Sequence, residues 1–144
     1  MVAVSGAVDV HATPAEILAV IADLATYPQW SSVHKRAAVD TRYPDGHPQR
    51  ATMAVSAAGL VDEQVLDYTW TDHDVRWTLV EPTGQQRDQR GSYTITAGPA
   101  GVSHVRYELD ISPAIPLPGF IVRRVMHSAL VAATDGLRER VESL

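Results

Sequence analysis

The stretch HVRYELDI at 104–111, the break SPAIPLPG at 112–119 and the run FIVRRVMHSALVAATDGLRERVESL at 120–144 decide the fold. In the first, Val105, Tyr107, Leu109 and Ile111 alternate with His104, Arg106, Glu108 and Asp110. A period of two with one apolar and one charged face is an antiparallel strand with one wet side. Pro113, Pro116, Pro118 and Gly119 then break the sheet. Beyond them Met126, Leu130, Ala133, Leu137, Val141 and Leu144 recur at intervals of three and four, while Arg124, Asp135, Arg138, Glu139 and Glu142 fall off the stripe. That spacing predicts one long helix from about Gly119 to Ser143. Its apolar stripe must be buried, and the apolar face of the sheet is the only surface long enough.

Upstream, Val2, Val4, Val8 and Val10 share one parity and predict an opening strand. Thr13-Pro14-Ala15-Glu16 marks a helix start, with threonine as cap, proline in the first turn and glutamate three residues after the cap. Ile17, Val20, Ile21 and Leu24 continue at helical spacing, and Tyr27-Pro28 is expected to end the helix. Residues 29–32 form a second short turn or helix. From Val33 to Ile111 turn signals recur at Pro44-Asp45-Gly46, Ala58-Gly59, Asp72-His73-Asp74, Thr83-Gly84 and 98–101. Between them Leu66, Tyr68 and Trp70 share a face, as do Val75, Trp77 and Leu79, and then Tyr93 and Ile95. Such short connections favour hairpins over crossover helices, hence an antiparallel meander in an α+β architecture.

A chain of 144 residues is read as a single domain spanning 1–144. With no cysteine, disulfides, thiolate metal sites and cysteine nucleophiles are excluded. A net charge of −5 argues against nucleic acid as partner, because phosphate binding requires a basic surface. Residues 1–10 do not read as a signal peptide, and the longest aliphatic run, Ile17–Ala22, is far short of the about 20 residues that span a bilayer. The expectation is a cytoplasmic protein without stable membrane insertion. Arginine far outnumbers lysine, and alanine and valine are abundant, as in proteins of GC-rich bacterial genomes.

Four stretches carry a resemblance: Asp23-Leu24 with Tyr27-Pro28-Gln29-Trp30-Ser31; Val75-Arg76-Trp77-Thr78-Leu79-Val80-Glu81; Gly91-Ser92-Tyr93; and Ile115-Pro116-Leu117-Pro118-Gly119-Phe120 leading into Arg123-Arg124. With the element order, they make the chain resemble the START/Bet v 1-like (SRPBCC) superfamily and, within it, the bacterial polyketide cyclase/dehydrase and lipid-transport group, which includes ubiquinone-binding relatives. The resemblance implies a helix-grip fold: a curved antiparallel sheet of about seven strands wrapped around a long C-terminal helix, with two short helices after the first strand. It also implies a cavity between sheet and helix, where superfamily members hold lipids, quinones, polyketides or hormones. Only some members are enzymes.

The residues themselves bear on that cavity. Ala51, Ala54, Ser56, Ala57 and Ala58 crowd one expected strand with small side chains, whereas a close-packed interior needs bulk. Tyr68, Trp70, Trp77, Tyr93 and Tyr107 fall on inward faces and are the expected walls, with Met126 and Leu130 from the helix stripe. Phe120 and Ile121 are expected as a lip at the entrance or as a local contact at the helix start. The same residues also admit a solid core, with the small side chains drawing sheet and helix together.

Signals for chemistry are sparse. None of the six histidines forms an H-x-x-x-H pair or an H-E-x-x-H motif, so no metal is expected and most histidines are assigned to the surface or to turns. There is no G-x-S-x-G and no Gly-rich phosphate loop. No catalytic residue and no cofactor is nominated. Cyclase chemistry would need an acid or base inside the cavity. Asp67 and Arg106 point outward by parity, while the register leaves Glu63, His34 and Arg90 undecided. Trp30 is expected under the first helix, and Arg123-Arg124 in solvent. The expected function is the binding or carriage of a hydrophobic small molecule: a lipid, an isoprenoid quinone or a polyketide-like compound. The alternatives are an aromatase/cyclase-type enzyme and a toxin-like or accessory interaction module with a filled core. The expected state is a monomer or a homodimer, since an exposed edge strand permits pairing.

Overall fold

A computed structural model describes residues 2–144. Strand β1 (Val2–Val10) buries Val8 and Val10 and exposes Ser5 and Asp9. Thr13 caps α1 (Pro14–Ala22): its hydroxyl accepts from the Glu16 amide at 3.2 Å, and the Glu16 side chain accepts from the Thr13 amide at 3.0 Å. Two free amides are thereby satisfied, which fixes the start of the helix. The helix ends earlier than expected, at Ala22. Leu24–Thr26 form a 3-10 turn, and Tyr27-Pro28 open a second helix, α2 (Tyr27–Trp30), instead of closing the first. Proline is compatible with the first turn of a helix, where its missing amide has no intrahelical partner.

Six further strands follow: β2 (His34–Arg42), β3 (Pro48–Ala57), β4 (Leu60–Trp70), β5 (Asp74–Leu79), β6 (Gln86–Ala97) and β7 (Ser103–Pro113). Ala58 lies in the β3–β4 turn, where Ala58 and Gly59 both take positive φ, the geometry of a tight hairpin. Asp74 belongs to β5 rather than to the preceding turn. The seven strands form one antiparallel sheet in the order β1-β7-β6-β5-β4-β3-β2. Its edges are therefore β1 and β2, and α1 and α2 carry the chain from one edge to the other.

The C-terminal helix runs as α3 (Gly119–Val131), a wider π turn (Ala132–Gly136) and α4 (Leu137–Glu142). It touches both β1 and β3, near opposite edges of the sheet, which only a curled sheet allows. Met126, Ala133, Leu137 and Val141 are buried and Leu130 is half-buried. Leu144 departs from the expected stripe: it is 79% exposed, past the last helical turn and beyond the reach of the sheet. At the π turn the Tyr93 hydroxyl donates to the Ala133 carbonyl at 2.9 Å, and Thr134 Oγ1 donates to the Leu130 carbonyl at 2.7 Å. Side chains thus take up carbonyls at the irregular turn, anchoring the bend to β6.

Candidate ligand cavity

Register places the inward aromatics in two adjacent rows across the sheet. Tyr107 lies opposite Tyr93, and Tyr93 opposite Val75; one step along, Trp77 lies opposite Tyr68 on one side and Gly91 on the other. The rings meet: Tyr93–Tyr107 centroids are 5.1 Å apart, Trp77–Tyr93 5.8 Å, and Trp77–Tyr68 and Trp77–Tyr107 6.0 Å. Gly91 makes this possible, since a Cβ there would lie 2.2 Å from the Trp77 ring. The indole therefore lies across β6, and its Nε1 donates to Gln89 Oε1 at 3.1 Å.

Between this aromatic floor and the C-terminal helix is a cavity of about 150 Å³. One water needs about 10–15 Å³ of such space, so the volume exceeds that of a few solvent molecules. Tyr68, Trp77, Tyr93, Tyr107 and Met126 all line it. Two expected wall residues, Trp70 and Leu130, and the expected lip residue Phe120 do not. The Trp70 indole is tied by Nε1 to the Pro48 carbonyl at 2.7 Å and stacks on His47. Leu130 packs over Gly6 of β1, filling the space a side chain would occupy there. Phe120 is 59% exposed at the start of α3, and its neighbours Leu117 and Val122 line the cavity in its place. Trp30 lines the cavity as well as packing edge-on against Tyr27.

The polar side of the cavity was not among the expected site residues. Strand β5 has only six residues, against eleven in β4 and twelve in β6. Past Leu79 the sheet has a gap, and side chains bridge it. Gln86 Nε2 donates to Asp62 Oδ2 at 2.8 Å, and Gln64 Nε2 donates to the same oxygen at 3.3 Å. Gln89 Nε2 donates to Gln64 Oε1 at 3.2 Å and to Gln86 Oε1 at 2.9 Å. All four side chains are buried and all four line the cavity. Half of this was readable: counting back by twos from Leu66 puts Gln64 and Asp62 on the inward face. Gln86 was not, because a register irregularity between Gln86 and Asp88 changes the parity of β6.

His34 is the other inward group, brought in by the irregularity between His34 and Arg36. It lies opposite Val55, which in turn lies opposite Asp62. His34 and Asp62 are thus two strands apart, roughly 10 Å along the sheet. His34 Nδ1 is 2.6 Å from Ser31 Oγ, and the ring stands edge-on to Tyr27. Burial lowers its pKa to about 4, so the imidazole is neutral at pH 7. A histidine depressed in the folded state contributes stability that is complete above its unfolded value near 6.5 and is lost as pH falls towards 4. His34→Gln is expected to remove up to about 3 kcal/mol of the stability difference between pH 7 and pH 4, read from urea unfolding at both pH values; equal pH dependence in the two proteins would refute the assignment.

Tyr68 and Tyr107 are also perturbed. Desolvation raises both phenols well above their ordinary value, so each hydroxyl keeps its proton at neutral pH. Glu63 and Arg90 are exposed, as are Arg106, Arg123 and Arg124, and among the described residues no lysine or arginine lines the cavity. Among the described residues no group of three or more His, Asp and Glu is placed to hold a metal ion, and no helix is long and apolar enough to cross a membrane.

A curled antiparallel sheet gripping a long helix over an internal cavity defines a START-like protein, a small-molecule-binding fold. Residues 1–142 match the family described as polyketide cyclase/dehydrase and lipid transport, and the chain belongs to that family. The structure is similar to a START superfamily protein from Mycobacterium smegmatis, with 23% identity over 98% of this chain and 97% of that one and a TM-score of 0.86. It is similar to a protein from Thermus thermophilus, with 17% identity, 99% and 98% coverage and a TM-score of 0.82. The Zhui aromatase/cyclase from Streptomyces sp. R1128 matches with 14% identity, 98% and 93% coverage and a TM-score of 0.77. At these identities the likeness establishes the fold. No curated protein matches the sequence.

Proposed function

We propose that the protein binds an apolar small molecule, such as a lipid, an isoprenoid quinone or a polyketide-like compound, and carries or sequesters it. The supporting observation is the cavity floored by the Tyr68–Trp77–Tyr93–Tyr107 cluster. A ligand burying roughly 200 Å² of apolar surface there would gain about 5 kcal/mol before entropy losses. The same cavity counts against an interaction module with a filled core. Mass spectrometry of the purified protein is expected to find a co-extracted apolar compound that denaturation releases. Titration with an apolar fluorescent probe is expected to show Tyr107→Ala weakening binding at least about fivefold, the loss of roughly 1 kcal/mol, with His47→Ala unchanged. Equal affinity in a folded Tyr107→Ala variant would remove the cavity from the binding site.

One observation favours an aromatase/cyclase-type enzyme as a second reading. Asp62 and His34 both face the cavity, an acid and a neutral imidazole of the kind that moves protons. Turnover of an aromatic polyketide precursor that is abolished in both His34→Gln and Asp62→Asn would establish it; retention of the precursor unchanged would leave binding alone.

A further inference from the structure

We propose that Asp62 determines ligand class: the cavity selects apolar compounds bearing a hydrogen-bond donor, a hydroxyl or an amine, over those ending in a carboxylate. This deepens the binding function proposed above and rests on it.

Hydrogen-bond direction around the relay decides which carboxyl oxygen is free. An indole N–H only donates. Trp77 Nε1 points at Gln89, so Gln89 must present its carbonyl oxygen there, leaving its NH2 for its other neighbours. Gln64 and Gln86 must then turn their oxygens to Gln89 and their NH2 groups to Asp62. A relay fixed at one end by Trp77 thus converges on a single carboxyl oxygen, Oδ2. The other oxygen, Oδ1, has no partner among the described residues. Asp62 makes no ion pair there and is only 9% exposed, yet it lines the cavity.

Oδ1 stays open to water, and a ligand that displaces that water without supplying a donor leaves the acceptor unpaired, at a cost in free energy. With no lysine or arginine among the described residues of the cavity wall, the donor that replaces the displaced water comes with the ligand. A hydroxyl or amine satisfies Oδ1. A ligand carboxylate brings acceptors to an acceptor, with no cation to offset the repulsion. A network that merely bridged the gap beyond β5 would show no such preference.

Isothermal calorimetry with three probes sharing one body, 2-naphthalenemethanol, 2-naphthylmethylamine and 2-naphthylacetate, tests this. The wild-type protein is expected to bind the alcohol and the amine at least tenfold tighter than the acid. In Asp62→Asn the amine is expected to lose at least tenfold and the acid to gain. Equal binding of acid and amine by the wild-type protein, or an unchanged ranking in a folded Asp62→Asn, overturns the selection while leaving apolar binding intact. If none of the three binds, the cavity is no binding site and both proposals fall. Should Asp62→Asn not fold, the wild-type ranking decides.

Discussion

Leu137→Asp is expected to yield no cooperatively folded protein. Leu137 opens α4, is fully buried and belongs to the core that also holds Ile17, Ile21 and Val10. Truncating a buried leucine costs about 2–5 kcal/mol by itself. Placing an unpaired carboxylate there adds several more. Domains of this kind have about 5–15 kcal/mol in total, so the substitution removes most or all of it. Leu144→Asp is the control: it sits on the same sequence stripe but is exposed, and is expected to melt within a degree or two of the parent. Circular dichroism melts of both variants check the helix face, and a native transition in Leu137→Asp would mean the stripe docks elsewhere.

The second large effect is at Gly91. Its backbone is ordinary strand, where alanine is favoured over glycine, so conformation alone predicts a gain from Gly91→Ala. Sterics predict the opposite, because the new Cβ would sit 2.2 Å from Cε2 and Cζ2 of Trp77. The indole has nowhere to go but into the cavity, breaking its bond to Gln89. A cost of about 3 kcal/mol follows from overpacking, read as a drop in melting temperature of roughly 10 °C. The clash is with one ring, so Gly91→Ala combined with Trp77→Leu is expected to lose much less than the sum of the two single losses. Strict additivity would show that Gly91 is kept for another reason.

These two positions mark the boundary of what the amino-acid order reveals. Leu137 was legible because helical period three-four and the proline break before it are local properties, written within one element. The same holds for the Thr13 cap, the alternation of 104–111 and the inward parity that gathered Tyr68, Trp77, Tyr93 and Tyr107. The role of Gly91 was not legible: it exists only because register sets that residue opposite Trp77 on a different strand.

The order of residues was enough for the meander of strands, the long closing helix and the aromatic wall; the inward direction of Gln64 and Asp62, though carried by the parity of β4, was left undecided with the register at Glu63. Three features came only with the folded chain: β5 stops short, irregularities in β2 and β6 turn His34 and Gln86 inward, and Trp70, Phe120 and Leu130 are drawn away from the cavity. The difference is one of range. Side-chain periodicity is set by the backbone within a few residues, whereas strand length, register shifts and the space left beneath a docked helix depend on contacts between residues far apart in the chain.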